Sequence, residues 1–183
     1  KRQIYDRCAE LEEDPRNVVF NQFCEFGNYL AHYLCTGKAV ETVVEKLRQD
    51  APGLRLRAFV SASGSAGTLG AGDYLKERHG VKVVAAEALE CPTLLYSGFG
   101  DHNIQGIGDK HVPWIHNVRN TDMVIAVDDE HAVRLLRLFN EPAGRSYLEA
   151  CGLPEEFLGR LDLLGISSVG NLIASIKFAK YYE

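Results

Sequence analysis

The stretch Phe59-Val60-Ser61-Ala62-Ser63-Gly64-Ser65-Ala66-Gly67-Thr68-Leu69-Gly70-Ala71-Gly72 decides the fold. An apolar strand runs into a turn of small residues and then into a helix. A phosphate entering such a turn exchanges water for protein donors, and consecutive backbone N–H groups at a helix start supply them if no Cβ intrudes. Gly, Ser and Ala keep that approach open. Ser65 and Thr68 add hydroxyls, and a helix opening at 66–68 adds the positive end of its macrodipole. The same small residues also let a helix pack close to a sheet, so Gly64-x-x-Gly67-x-x-Gly70 keeps a purely structural reading beside the functional one.

Outward from this turn, residues 67–78 read as a helix closed by His79-Gly80, and Val81 to Ala86 as the next strand. Strand, helix, strand in that order is a βαβ unit, whose strands pair in parallel. Met123 to Val127 gives a further strand and Asp129 to Phe139 a helix capped by Asp128 or Asp129. The run Leu163 to Asn171 precedes the last helix, and within it Ile166 to Gly170 reads as a strand ending in the hydroxyls of Ser167 and Ser168 at the helix start, one of them as its N-cap. Upstream, residues 2–13 carry helical spacing, and Val18-Val19-Phe20 fits a buried strand that leaves Asn21-Gln22 at a crevice. From Tyr29 to Leu47 the periodicity predicts a short helix, a break near Thr36-Gly37 and a longer helix ending before Ala51-Pro52-Gly53. Together these elements predict one α/β domain over 1–183, with an open, mostly parallel sheet and helices on both faces, a three-layer, Rossmann-like arrangement. In such sheets ligands bind at the carboxyl edge, where both hydroxyl-bearing turns fall. Residues 89–120 form a long loop on that side, rich in Gly and Pro, and 140–162 a variable helical insert.

The 183 residues are 46% hydrophobic and 25% charged, the balance of a folded soluble domain. No apolar run is long enough to span a bilayer, and the opening Lys1-Arg2-Gln3-Ile4-Tyr5-Asp6-Arg7 lacks the apolar core of a signal peptide. A cytoplasmic protein without membrane contact is expected. The net charge of −5 and the lack of any Lys/Arg cluster speak against a nucleic-acid partner. Cys8, Cys24, Cys35, Cys91 and Cys151 are odd in number and contain no Cys-x-x-Cys pair, so they read as reduced thiols. The chain lacks an initiator Met, and the helical pattern from Leu172 stops at Glu183 without a terminator. Both ends read as cut, and the sequence as a piece of a larger protein.

Glu87 lies 23 residues after Gly64 at the end of the next strand, where a dinucleotide fold puts its ribose-binding acid. Spacing alone therefore leaves a nicotinamide cofactor open, although the glycine pattern departs from Gly-x-Gly-x-x-Gly. His102, His111 and His116 share a loop but match no zinc spacing, so no metal is assigned. No Cys sits at a strand-to-helix elbow, which leaves a Cys-His hydrolase without support.

Taken together, the chain resembles the cysteine synthase and cystathionine β-synthase branch of the pyridoxal-phosphate enzymes with the tryptophan synthase β-subunit fold, fold type II. Asn21-Gln22-Phe23 with His32-Tyr33 and Thr36-Gly37, Gly64-Ser65-Ala66-Gly67-Thr68, His102-Asn103-Ile104-Gln105-Gly106-Ile107-Gly108 with Pro113, and Gly165-Ile166-Ser167-Ser168 match in order. The resemblance implies that Gly64, Ser65, Ala66, Gly67 and Thr68 hold the phosphate of pyridoxal 5'-phosphate and that Ser167 hydrogen-bonds its ring nitrogen. It places Gln22 near the substrate carboxylate and Gly106, Ile107 and Gly108 on the substrate side. A neutral serine at the ring nitrogen suits β-elimination and β-replacement on a small amino acid.

The departures also carry information. The family's Schiff-base lysine belongs to a part that precedes the matched region, so no catalytic residue is expected in this chain, which should be inactive alone. The full-length protein is expected to be a lyase or synthase, and a homodimer. Ala66 stands where the phosphate loop has glycine and fits only with a negative φ. Two other readings stay open: an NAD(P)-dependent oxidoreductase domain with Glu87 on the ribose, and a non-catalytic module that binds a phosphorylated ligand or a partner chain.

Overall fold

The computed structural model describes residues 2–183; Lys1, the first residue of the expected domain, lies outside the described residues. Three parallel strands form the sheet in the order β1-β2-β3: β1 is Ala58–Ala62, β2 Lys82–Ala88 and β3 Met123–Val127. Ala58 pairs with Lys82 and Val84 with Met123, so β2 is the centre and β1 an edge. The central strand is buried from Val83 to Ala88, the near-continuous apolar run that a parallel strand covered on both faces requires.

Alternation along β2 divides the core. Val83 and Ala85 face one side, with Ala66, Leu69 and Ile115, beneath helix α4 (Leu69–His79). Val84, Ala86 and Ala88 face the other, with Ile125 and Val127 against Val169, Ala174 and Phe178 of helix α9 (Ile166–Tyr181). Each fully buried Val, Leu or Ile among these contributes about 1.5–3 kcal/mol. Helix, sheet, helix is the expected three-layer α/β arrangement. Helix α4 ends at Gly80, whose φ of +66° is the left-handed cap that glycine accommodates. Helix α6 (Asp129–Asn140) starts at Asp128, which accepts the His131 N–H at 2.9 Å.

Three local expectations fail. Val18-Val19-Phe20 is not a buried strand: it pairs with none of the three strands, and Val18 and Phe20 are exposed. β-branched and aromatic residues favour a pleated surface only where a neighbour supplies the ladder and the packing. The helix predicted to break at Thr36-Gly37 continues instead. Phe26–Ala31 (α2) passes through a π-helical turn at His32–Thr36 into Gly37–Asp50 (α3), with Gly37 in ordinary helical geometry. A Cβ on Gly37 would lie 2.7 Å from the Tyr74 ring, so this glycine serves helix contact and does not end a helix. The strand predicted before the last helix is absent too. Leu161–Leu163 is a short 3-10 turn, Gly165 occupies the N-cap position without a side-chain bond, and Ser167 and Ser168 lie inside the first turn of α9.

Residues between β2 and β3 contain one short helix, α5 (Thr93–Tyr96), and a 3-10 turn at Val118–Asn120. After α6 come two short helices, Pro142–Ala150 (α7) and Glu155–Leu158 (α8). The amino-terminal helix, Arg2–Glu12 (α1), completes the set.

Candidate functional site

The turn after β1 leaves its donors free. Ser63 N–H closes on the Ala86 carbonyl at 2.9 Å, and the next backbone N–H with a protein acceptor is that of Leu69, which donates to the Ala66 carbonyl at 3.1 Å. Among the described residues, the N–H groups of Gly64, Ser65, Ala66, Gly67 and Thr68 therefore have no acceptor. A run of unpaired amides at the start of a helix is what a phosphate-sized anion requires. Ser65 Oγ accepts from Asn28 Nδ2 at 3.1 Å, which leaves its proton to donate. Thr68 is engaged elsewhere, sharing a 2.6 Å hydrogen bond with the buried Ser61 hydroxyl.

Ala66 corrects the expectation of a negative φ. Its φ is +67°, in the left-handed region, and its methyl is buried against Leu69, Val83, Ala85 and Ile115. For a residue with a Cβ this costs about 1–2 kcal/mol. Strain of this kind persists where the surroundings over-determine the backbone, and the left-handed residue is also what turns successive amides toward one point. The helix itself opens at Leu69, later than the expected 66–68.

The turn forms one wall of an open cleft of about 580 Å³. Gln22, Gly64, Ser65, Gly106, Ile107 and Gly108 all line it, so segments far apart in sequence meet at the carboxyl edge of the sheet. Gly108 N–H donates to the Ser63 carbonyl at 2.9 Å, and a Cβ on Gly64 would stand 3.3 Å from the Gly106 carbonyl oxygen. The two loops thus touch through their backbones. Ala66 and Gly67 are buried behind the cleft, and Ser167, half-buried in the first turn of α9, does not line it.

Three supporting residues escaped the sequence reading. Asn28 donates through Nδ2 both to Ser65 Oγ and to the Gln22 carbonyl, at 2.9 Å, tying the segment around Gln22 to the phosphate-loop turn. Asn171 Oδ1 accepts the Ala62 N–H at 2.6 Å, fixing the end of β1 from α9; a single side-chain amide within the run Val169 to Ala174 was its only signal. Buried Asp129 accepts the N–H groups of Asn103 and Ile104 and so holds the 102–108 loop; the Asp128-Asp129 pair, with one acid free after capping, was the available hint.

Glu87 is 3% exposed and spends both oxygens on α5, accepting the N–H groups of Leu94 at 2.9 Å and Leu95 at 3.1 Å. Burial pushes its carboxyl above the ordinary range, against the pull of those two bonds. His116 is also buried, which lowers its pKa, and its Nε2 meets Thr121 Oγ1 at 2.9 Å. Among the described residues no group of metal-ligating side chains assembles.

No protein-family model matches the chain. It is 32% identical over 174 residues to the cysteine synthase B of Campylobacter jejuni, an alignment that covers 94% of this chain and 50% of that protein. A hydrogen sulfide-producing enzyme from Fusobacterium nucleatum matches in structure with a TM-score of 0.76 at 26% identity, over 98% of this chain and 48% of that one. An O-acetylserine-dependent cystathionine β-synthase from Helicobacter pylori matches with a TM-score of 0.67 at 26% identity, over 97% and 50%. The homologues of this chain are cysteine synthases and cystathionine β-synthases, and its fold is shared with the fold type II enzymes. The chain spans about half the length of the curated relatives it matches.

Proposed function

We propose that this chain is the phosphate-gripping part of a pyridoxal-phosphate-dependent enzyme that eliminates or replaces the β-substituent of a small amino acid, as its cysteine synthase relatives suggest. The observation that carries the reading is the run of five unpaired amides from Gly64 to Thr68, whose first two residues line a cleft also lined by Gln22 and by Gly106 to Gly108. Those amides and the Ser65 hydroxyl suit a dianionic phosphate ester, and no lysine or arginine lines the cleft to substitute for them. When bound, the cofactor supplies the electron sink for bond cleavage at the substrate carbon.

The chain's own residues divide the remaining work. Gly64, Ser65, Ala66, Gly67 and Thr68 hold the phosphate; a neutral Ser167 hydroxyl donates to the ring nitrogen and brings no formal charge there. Gln22 lies toward the substrate carboxylate, and Gly106, Ile107 and Gly108 form the substrate side. The lysine that carries the cofactor in the resembled family belongs to a region this chain does not match. Assembly as a homodimer and a cytoplasmic setting are part of the same reading. Phe26, Leu30 and Leu34, exposed at four-residue spacing, offer apolar surface for assembly, and all five cysteines are free thiols.

The nicotinamide reading needs Glu87 free at a ribose, and its carboxylate is instead buried on Leu94 and Leu95. The test is spectroscopic: the full-length protein should purify yellow, with an absorption band that borohydride abolishes while trapping cofactor on a lysine. A colourless full-length protein that binds NADH would overturn the proposal, and one that traps no cofactor on a lysine would favour a silent binding module.

A further inference from the structure

Glu87, near the end of β2, is a buried acid that the phosphate-gripping chemistry does not use. It is 3% exposed and makes no ion pair among the described residues. The N-cap position of α5 is Pro92, whose side chain offers no acceptor, and Glu87 supplies one from the sheet: Oε2 accepts the Leu94 N–H at 2.9 Å and Oε1 the Leu95 N–H at 3.1 Å. A buried carboxylate without a cation is costly unless hydrogen bonds hold it, so the short helix and the acid depend on each other.

The helix passes this constraint on to the cleft. Thr93, its first residue, donates its hydroxyl to the Asp109 carbonyl, with the Gly98 carbonyl 3.1 Å away as a second acceptor. Asp109 follows Gly108, whose N–H reaches the Ser63 carbonyl at 2.9 Å. A Cβ on Gly108 would stand 2.8 Å from His102 Nε2 and 3.2 Å from Cys91 Sγ, so the turn sits close against both. Glu87, Thr93, Gly108 and Asp109 line one cavity of about 20 Å³, and among the described residues no hydrogen bond joins Glu87 to the turn directly. The carboxylate therefore reaches the turn through α5 and Thr93, and every link in this path lies within residues 63–109.

We propose that Glu87 is a positioning residue: through α5 and Thr93 it fixes the Gly106 to Gly108 wall and so sets the affinity of the cleft for its amino-acid substrate. The substrate's place beside that wall rests on the function proposed above. Loosening the wall weakens binding in the ground state and the transition state alike, which raises KM and spares kcat. The amides of residues 64–68 lie outside this path, so pyridoxal-phosphate affinity should change less than KM.

The test compares Glu87→Gln and Thr93→Val in the full-length protein, by hydrogen–deuterium exchange and by steady-state kinetics with L-serine and O-acetyl-L-serine as probes. Glu87→Gln turns an amide donor toward one of the two N–H groups. It should speed exchange at Leu94 or Leu95 and, by about tenfold, at Gly108, with β2 unchanged. KM should rise about fivefold or more with kcat within about twofold of the parent. Thr93→Val removes the hydroxyl and leaves the Glu87 bonds, so it should give the same changes in KM and at Gly108 with Leu94 and Leu95 still protected. The double variant should be no worse than Glu87→Gln alone. Unchanged exchange at Gly108 in either variant would overturn the proposal, as would a fall in kcat without a rise in KM. Loss of protection in β2 together with Gly108 would make Glu87 a residue of general stability and equally overturn it. Exchange is read on cofactor-free protein as well, so a full-length protein that traps no cofactor on a lysine would sink the proposed reaction while Gly108 still decides for or against the hold by Glu87.

Discussion

Asn171, on the last helix, receives the backbone N–H of Ala62 at 2.6 Å, where β1 gives way to the phosphate-loop turn. The bond crosses from one layer to the next and joins residues separated by most of the chain. It terminates the strand with a side-chain acceptor where no neighbouring strand provides one.

Asn171→Leu keeps the size and removes that acceptor, leaving the Ala62 N–H without a partner in a half-buried position. A loss of stability of about 1–3 kcal/mol is expected. Urea unfolding should show the lower midpoint, and sulfate affinity should fall with it because the turn begins at the freed strand end. An unchanged midpoint would mean that water replaces the amide at no cost.

Gly67→Asp adds a negative charge beside the amides that an anion should meet. A Cβ at this position would also lie 2.2 Å from Asn28 Oδ1, so the tether between Gln22 and Ser65 is pushed aside. Sulfate and pyridoxal-phosphate binding should be lost by dialysis or calorimetry. Gly67→Ala separates the two effects: it disturbs Asn28 without adding charge and should weaken binding less.

Ala66 offers a test of stored strain. Ala66→Gly removes the left-handed penalty of about 1–2 kcal/mol but gives up a buried methyl worth about 0.8 kcal/mol and frees the unfolded chain. Stability should stay within about 1 kcal/mol of the parent, and anion affinity should be retained. Ala66→Val adds a β-branched side chain at φ +67° in a buried position, and should cost about 2 kcal/mol or more in thermal or urea unfolding.

Asp122 should govern part of the acid response. Burial alone would raise its pKa, but bonds from Lys76 Nζ, the Val83 N–H and Lys82 Nζ hold it at about 2, below its ordinary 3.8. A depressed carboxylate pKa stabilises the folded state above the unfolded value, and that contribution drains away as pH falls through the folded one. Stability should therefore decline between pH 3.8 and about 2. In Asp122→Asn the decline over this window should be shallower, as read from unfolding midpoints against pH.

Much of the fold was legible because parallel βαβ units write themselves in long apolar runs. Met123 to Val127 was bounded correctly, and β1, β2, α4 and α6 lay within a few residues of the observed ends. The errors share one cause: local composition does not report what lies across from it. Val18 to Phe20 has strand chemistry without a strand beside it, and Gly37 has breaker chemistry but answers to the Tyr74 ring. Ala66 was judged by its own steric preference, and the packing around it imposed the opposite sign of φ. At the cleft, Gln22 and the glycine turns could be picked out by motif. Asn28, Asn171 and Asp129 could not, because their roles are hydrogen bonds to backbone groups that only the fold brings near.

The bond from Gly108 to Ser63, with the close approach at Gly64, makes two walls of the cleft a single rigid piece. The far side is held differently. There, Gln22 and Phe23 are tied to the rest of the molecule by Asn28 Nδ2 on the Gln22 carbonyl and by one long 3.4 Å bond donated by Ile115 to the Phe23 carbonyl. One asparagine side chain thus couples the position of the Gln22 side to that of Ser65 on the opposite wall.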